Sequence, residues 1–124
     1  MVIRLLNKKT ELADVNKWLP FEVSFKDLPG HTFAVEHKNE IIAIGGLRLM
    51  EGDVCFIDSF ATKQEVEGKL RNEALEGLLS TLFDLAKTLG FKRVFATTVE
   101  DCIVSRAEKH GCKLTNQRVL TKEL

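Results

Sequence analysis

The chain has 124 residues, 44% of them hydrophobic, which suits one compact domain with a single hydrophobic core. Its 18 basic and 18 acidic side chains cancel, which excludes the strong positive field of a typical nucleic-acid or anionic-membrane binder. No apolar run approaches the roughly 20 residues of a membrane span, and the first residues lack the charge pattern of a signal peptide. We therefore expect a cytoplasmic protein that binds neither nucleic acid nor membrane.

The first predicted elements are a strand and a helix. Val2 to Leu6 reads as a strand because four of its five residues are apolar. Thr10 is a plausible N-cap, and apolar residues recur after it at helical spacing up to Leu19. Pro20 then stops the helix, because the residue before a proline is disfavoured in helical geometry.

A β-hairpin is predicted next. Its strands are Thr32 to His37 and Ile41 to Leu49, with Asn39-Glu40 at the tip. Gly45-Gly46 interrupts the second strand, and glycines inside a strand indicate a bulge or a close backbone approach.

The next predicted unit is a strand followed by a long helix. Val54 to Thr62 is the strand, and the helix carries apolar residues on one face from Leu75 to Leu89. This apolar stripe is the strongest periodic signal in the chain. Gly90 stands where a left-handed helix cap is expected.

The remaining predicted elements are a strand, a short helix and a last hairpin. The strand is Phe91 to Thr98, the helix starts at Asp101 or Ser105 and ends before Gly111, and the hairpin occupies Lys113 to Leu124. The predicted fold is α/β (α+β), with a mixed sheet of about six to seven strands flanked by about three helices.

Two strands of that sheet should run side by side. A helix connects the strand ending at Phe60 to Thr62 with the strand Phe91 to Thr98, and such crossovers join parallel strands. We predict that the two strands are parallel neighbours and diverge at their C-terminal ends.

The stretch from Val54 to Gly111 resembles, in its order of elements, the cofactor-binding half of GCN5-related N-acetyltransferases (GNAT). Phe60-Ala61-Thr62 matches the segment whose backbone pairs with pantetheine in that family. The resemblance implies one GNAT-like domain over residues 1–124 that transfers acetyl directly from acetyl-CoA to a primary amine. The amine would belong to a small molecule or a protein.

The family's phosphate loop contains a basic residue followed by closely spaced glycines. Here Gly68 and Lys69 match it, Glu67 stands where a basic residue is typical, and Leu70 replaces a glycine. A helix start attracts phosphate through its free amides, so the sequence tunes this site without creating it. The resemblance implies a pyrophosphate site made of Gly68, Lys69, Leu70, Arg71 and Asn72.

The catalytic residues are the part of the chain that matches the family least. Ala107 stands where the family places its proton-donating tyrosine, and the chain contains no tyrosine. Ser105 is a substitute that could hold a water molecule. Asp58 is the candidate general base, because a carboxylate in an apolar strand needs a partner or a shifted pKa. We place it on the same face as Phe60; pairing with Arg48 is its alternative, structural role.

The cysteines and histidines indicate no metal. Cys55, Cys102 and Cys112 lack the spacing of a zinc or thioredoxin-like motif, so reduced thiols are expected. His110 and Cys112 are close in sequence, but a structural metal site needs about four ligands.

Two other functions stay open. One is a catalytically degenerate GNAT-fold module, such as a viral or accessory protein, that contacts another protein. The other is a small binding protein of unrelated α/β topology. A homodimer or a protein partner is compatible with each of them.

Overall fold

A computed structural model describes residues 1–98 and 100–124, which form one mixed sheet and three helices. The elements in chain order are β1 (Val2–Leu5), α1 (Lys8–Asn16), β2 (His31–His37), β3 (Glu40–Leu49), β4 (Val54–Thr62), α2 (Gly68–Thr88), β5 (Arg93–Ala96) and α3 (Asp101–Lys109). The sheet has five strands in the order β1-β2-β3-β4-β5. The first four are antiparallel to their neighbours, and β5 is parallel to β4. The predicted α/β class, mixed sheet and three helices are confirmed.

The predicted strand count of six to seven was too high, because the last hairpin is absent. The described residues from Lys113 to Leu124 contain no strand and are all exposed. A hairpin here would have only Lys113 to Thr115 before its turn, and Asn116-Gln117 lacks the glycine that tight hairpin turns favour. Isolated two-stranded hairpins are marginally stable at best, so this segment does not form one.

The ends of the helices differ from the sequence prediction at one cap and agree at another. Asn7, and not Thr10, caps α1, since its side-chain oxygen accepts a hydrogen bond from the Lys9 amide at 3.2 Å. Gly90 has a φ of +88°, which confirms the left-handed cap of α2. The Phe91 amide donates to the Ala86 carbonyl at 3.1 Å. This bond completes the cap, and β5 therefore begins at Arg93 and not at Phe91.

The two faces of the sheet bury separate parts of the core. One face packs against α1 and the loop after it, through Leu6, Val15, Val23, Leu28, Ala34 and Ile44. The other face packs against α2, through Val35, Ile42, Ala43, Leu47, Cys55, Ile57, Ala74, Leu78, Leu79, Leu82 and Ala86. The apolar stripe predicted for α2 is thus confirmed. The helix itself begins at Gly68, two turns before that stripe, and Leu70 and Ala74 of these turns pack against the core as well.

Among the helices that the structure describes, none is long and apolar enough to cross a bilayer.

Candidate functional site

An opening between β4 and β5 is the first feature of the candidate site. The strands pair in parallel from Val54 and Arg93 to Ile57 and Ala96. β4 then continues to Thr62 with pairing only to β3, as far as the described residues show. The predicted parallel pairing is confirmed, and the end of the pairing at Ile57 agrees with the predicted divergence. Phe60 to Thr62 therefore lie on the part of β4 that is open toward β5.

A β-bulge in β4 lies where the opening starts. Ile44 pairs with Ala61 and Gly46 with Asp58, so Ser59 and Phe60 together oppose Gly45. Ser59 has a φ of +56°, which is unusual for a residue with a side chain. A Cβ on Gly45 would lie 2.8 Å from Cδ2 of Phe60, so this close approach requires glycine. The sequence predicted a bulge or a close approach at Gly45-Gly46. The close approach is present at Gly45, whereas the extra residue of the bulge lies in β4, opposite it.

The bulge corrects one prediction about side-chain direction. An extra residue in a strand reverses the alternation of faces beyond it. Phe60 consequently packs with the α2-facing cluster that contains Ile57 and Leu82. Asp58 precedes the bulge and faces the side of the sheet that carries α1, opposite Gly46. The prediction that Asp58 and Phe60 share a face was wrong.

Asp58 is held by two hydrogen-bonding partners. Its Oδ2 accepts from Arg48 Nε at 3.1 Å and from Nη2 at 2.9 Å, while its Oδ1 accepts from the Ser59 amide at 2.7 Å. Arg48 Nη2 also donates to the Asp27 carbonyl at 2.6 Å. The alternative role predicted for Asp58, an ion pair with Arg48, is therefore present in the structure.

The start of α2 follows the open part of β4. The Glu67 side chain makes no capping hydrogen bond, and the Arg71 amide donates to the Glu67 carbonyl at 2.9 Å. The amides of Gly68, Lys69 and Leu70 have no hydrogen-bond partner within residues 1–98 and 100–124. Free amides at a helix start carry partial positive charge and favour an anion.

The side chains at this helix start leave its backbone accessible. Leu70 turns inward and packs, half-buried, against the α2-facing core, as does Val66. A Cβ on Gly68 would find only Arg71 Nη2, at 3.9 Å. Lys69 is exposed, and Arg71 Nη1 donates to the Gln64 side-chain oxygen at 3.2 Å. Two cationic side chains thus lie near the free amides.

A cavity of about 320 Å³ adjoins this helix start. Its lining includes the turn between β2 and β3, the segment after β4, and Leu70. Lys38 and Lys63 are among the lining residues, together with the carboxylates of Glu40, Glu65 and Glu67. Three carboxylates and two ammonium groups line this cavity, so its side chains do not by themselves favour an anion.

Asn72 contacts α3 and not the helix start. Its side-chain oxygen accepts from Arg106 Nη2 at 2.9 Å, and Arg106 also pairs with Glu76. His110 Nε2 lies 2.7 Å from Glu76 Oε2. The hydrogen bond from His110, followed by the one from Arg106, holds the pKa of Glu76 below its usual range. These contacts, together with the Phe83 ring 5.7 Å from His110, join α2 to α3.

The two predicted catalytic residues are not brought together. Ser105 lies on the exposed side of α3, whereas Arg106 and His110 of the same helix reach α2. Ala107 is half-buried, and its carbonyl accepts the Cys112 amide that closes α3. No hydrogen bond joins Ser105 to Asp58 in the described part of the chain. The described residues also contain no group of three or more His, Cys, Asp or Glu side chains that could hold a metal.

Sequence reasoning missed two features of the site. The bulge is centred on Ser59, and serine gives no signal for a positive φ; only the glycines opposite it indicated an irregularity. The contact between α2 and α3 joins residues far apart in the sequence, as in Arg106 with Glu76, which are 30 positions apart. No local pattern predicts such a pair.

Solved structures with the same fold include a named acetyltransferase and a protein in complex with CoA. The protein TTHA1254 from Thermus thermophilus has a TM-score of 0.76 and 18% identity, over 100% of this chain and 98% of that one. Rv2747 from Mycobacterium tuberculosis, in complex with CoA, has a TM-score of 0.75 and 16% identity, over 97% and 76%. Glucosamine-6-phosphate N-acetyltransferase from Arabidopsis thaliana has a TM-score of 0.73 and 17% identity, over 99% and 97%.

The family is shown by a sequence comparison. No curated protein sequence gives a significant match. The model of the acetyltransferase (GNAT) family matches residues 4–108, which include nearly all of the three helices and all but the first residues of β1. The chain belongs to the GNAT family of acetyltransferases.

Proposed function

We propose that this protein binds acetyl-CoA and transfers its acetyl group directly to a primary amine. The observation that carries the proposal is the juxtaposition of an open strand edge and a free helix start. Phe60 to Thr62 end β4 beyond its pairing with β5, and Gly68 to Leu70 begin α2 with free amides. In acyl-CoA, the pantetheine amides need backbone hydrogen-bond partners and the pyrophosphate needs hydrogen-bond donors. The two groups belong to one molecule, so their binding features must lie near each other.

The backbone holds most of the co-substrate in this proposal. The open edge of β4 supplies peptide groups for the pantetheine amides, as a neighbouring strand would. The free amides of Gly68, Lys69 and Leu70 receive the pyrophosphate. Acetyl-CoA supplies the activated thioester, and the protein orients that thioester against the amine, which by itself lowers the barrier by several kcal/mol.

Charge at the helix start acts in both directions. Glu67 repels the pyrophosphate by about 1 kcal/mol at close range in water, while Lys69 and Arg71 attract it. Because the three side chains are close to solvent, we expect these terms to cancel in part. The affinity for acetyl-CoA should therefore be moderate and should respond to a single charge change.

Known proteins of this fold support the proposal. The Mycobacterium structure contains CoA, and the Arabidopsis enzyme is named for an amino sugar phosphate. An amine-bearing small molecule or protein is accordingly the proposed acceptor. Asp58 and Ser105 are the residues proposed from the sequence to act in the transfer step, so binding and transfer are tested separately.

Calorimetric titration with acetyl-CoA tests the binding step. Replacing Glu67 with Arg should tighten binding by up to about 30-fold, because an attraction of about 1 kcal/mol replaces a repulsion of about 1 kcal/mol. Gly68→Val should weaken binding, because its side chain covers the amides, although it meets no near neighbour in the free protein. Glu108→Arg, an equal charge change on the exposed side of α3, is the control. If both loop variants bind as the wild type does, acetyl-CoA does not bind there.

A binding module without catalysis is the second candidate function. The observation in its favour is the half-buried Ala107 at the family's tyrosine position, in a chain without any tyrosine. In this case the protein would bind acetyl-CoA but acetylate none of a broad panel of amines. Detection of N-acetylated product with any amine of the panel, by mass spectrometry, would exclude this candidate.

A further inference from the structure

We infer that Asp58 is a positioning residue, which fixes the β4 bulge through the Ser59 amide, and that it is not the general base. The inference rests on the proposed function, because the bulge determines where the opening for acetyl-CoA begins. It assigns to Arg48 the task of holding Asp58. Three observations support it: the backbone at Ser59, the partners of the Asp58 carboxylate, and the second contact of Arg48.

The backbone at Ser59 needs support from its neighbours. Its φ of +56° lies in the left-handed region, which residues other than glycine adopt at a cost. The Ser59 amide donates to Asp58 Oδ1 at 2.7 Å, a short bond to a charged acceptor. This bond turns the amide toward the α1 side of the sheet and favours the unusual conformation. The carboxylate one residue before the bulge thus stabilises the bulge itself.

The hydrogen-bonding partners of Asp58 hold both oxygens of its carboxylate in place. Oδ2 receives two hydrogen bonds from Arg48, and Oδ1 receives the bond from Ser59. A general base must accept a proton during each turnover. A proton on Oδ2 would displace an Arg48 donor, and a proton on Oδ1 would remove the negative charge that strengthens the bond from the Ser59 amide. Each event would weaken a contact that maintains the opening.

Arg48 extends the network to the loop between α1 and β2. Its Nη2 donates both to Asp58 and to the Asp27 carbonyl, at 2.9 Å and 2.6 Å. One guanidinium therefore fixes a strand, a bulge and a loop with respect to each other. A fork of donors of this kind has a fixed geometry that lysine cannot reproduce.

Two substitutions at Asp58 separate positioning from base catalysis. Asp58→Asn removes the basic group but keeps an oxygen that can accept from the Ser59 amide. Asp58→Ala removes both. If Asp58 positions the bulge, the alanine variant should lose about tenfold in affinity for acetyl-CoA, which is typical of one lost hydrogen bond to a charged group. The affinity of the asparagine variant for acetyl-CoA should stay within about threefold of the wild type, because its hydrogen bond to the Ser59 amide is only weakened.

A second-site change gives the sharpest test. Ser59→Gly in the Asp58→Ala background should restore much of the lost affinity, because glycine adopts a positive φ without help. A general base could not be replaced in this way. Asp14→Asn, which removes an exposed carboxylate paired with Lys17, is the matched control and should behave as the wild type.

The pH profile of transfer supplies the contrary outcome. If Asp58 is the base, Asp58→Asn should bind acetyl-CoA normally, lose about 100-fold or more in rate, and lose the acidic limb of its pH–rate profile. That result would overturn the inference. A positioning role predicts that the asparagine variant retains both the limb and most of the rate.

The backbone can be examined even if acetyl-CoA does not bind at all. Failure of the wild type to bind would refute the proposed function, yet NMR hydrogen exchange at the Ser59 amide would still test the role of Asp58. Exchange should accelerate about tenfold or more in Asp58→Ala, as one charged hydrogen bond is lost, and much less in Asp58→Asn. Equal exchange in the wild type and the alanine variant would overturn the inference.

Discussion

Two regions of the chain differ in how much they retain of the family's site. The first region is the unit formed by β4 and α2, and the second region begins with α3. In the first, the residues depart from the usual pattern, with Glu67 and Leu70 in the phosphate loop, but the open strand and the free helix start remain. In the second, α3 is present but carries Ala107 where the family has tyrosine, and no hairpin follows it among the described residues.

The difference follows from which atoms perform each task. Under the proposed function, the first region binds acetyl-CoA through peptide groups, and most residues supply the same peptide group. Leu70 can replace glycine because its side chain packs inward, against the core. Proton donation requires a particular side chain, so one substitution removes it. We therefore expect binding to tolerate the changes in β4 and α2 better than turnover tolerates Ala107.

The largest expected effect is on turnover in the second region. Ala107→Tyr should raise the rate of acetyl transfer by about 100-fold or more where departure of the CoA thiolate limits it, since general acid catalysis typically contributes at least that much. Steady-state kinetics with a reactive amine measures the change. Ala107→Phe, which adds the ring without the hydroxyl, is the control and should give no gain. An equal rise in both variants would show that the ring, and not the proton donor, is responsible.

The next effect compares the stability of the two regions. Leu82 on α2 is fully buried beneath β4, so Leu82→Ala should lower the free energy of unfolding by about 3 kcal/mol. Leu120, after α3, is 94% exposed, and Leu120→Ala should change the free energy of unfolding by less than about 0.5 kcal/mol. Urea denaturation at neutral pH measures both. Equal losses would mean that the last residues pack in solution, contrary to the structure.

A smaller effect should arise at the bulge. Gly45→Ala places a methyl group 2.8 Å from the Phe60 ring and 3.3 Å from Leu82, so it should cost about 1 to 3 kcal/mol of stability. It should also weaken acetyl-CoA binding, because Phe60 must move. Gly30→Ala meets no atom within 4 Å and should be neutral or slightly stabilising. A neutral Gly45→Ala variant would contradict the close approach at the bulge.

The smallest effect is the pH dependence of the contact between α2 and α3. Hydrogen bonds from His110 and Arg106 lower the pKa of Glu76 below its ordinary value of 4.5. A depressed pKa contributes stability above the ordinary value and loses it as the pH falls through the folded-state value. Because Glu76 is 44% exposed, the contribution should be below about 1 kcal/mol.

Glu76→Gln tests this contribution. The variant should be less stable than the wild type at pH 7, and the gap should close as the pH falls well below 4.5, the ordinary pKa of the group. Glu73→Gln, at an exposed position one turn earlier, is the matched control. A gap that persists at the lowest pH would assign the effect to packing and not to charge.

Much of the first region could be predicted from the sequence, because local patterns determine it. The apolar stripe of α2, the cap at Gly90 and the irregularity at Gly45 each depend on residues near one another in the chain. The crossover rule then predicts that β5 lies parallel to β4. The direction of Phe60 could not be predicted, since it depends on a bulge at a serine.

The second region was harder to predict because its structure depends on distant partners. The alternation of apolar and polar residues after Lys113 resembles that of a strand. A strand forms, however, only where another strand or a sheet edge pairs with it. The hydrogen bonds of Arg106 and His110 with Glu76 likewise form only in the tertiary fold. Among the proposed site residues, Asn72 was expected at the phosphate and contacts α3, which its sequence position alone does not reveal.

The most direct test of the account is an NMR titration of the wild-type protein with acetyl-CoA, because the central claim concerns backbone amides. We expect the largest shifts at the amides of Phe60 to Thr62 and of Gly68 to Leu70. The amides from Thr121 to Leu124, which are exposed and distant in sequence, should be unchanged. Saturable binding with large shifts confined to β1 and none at the start of α2 would contradict the account.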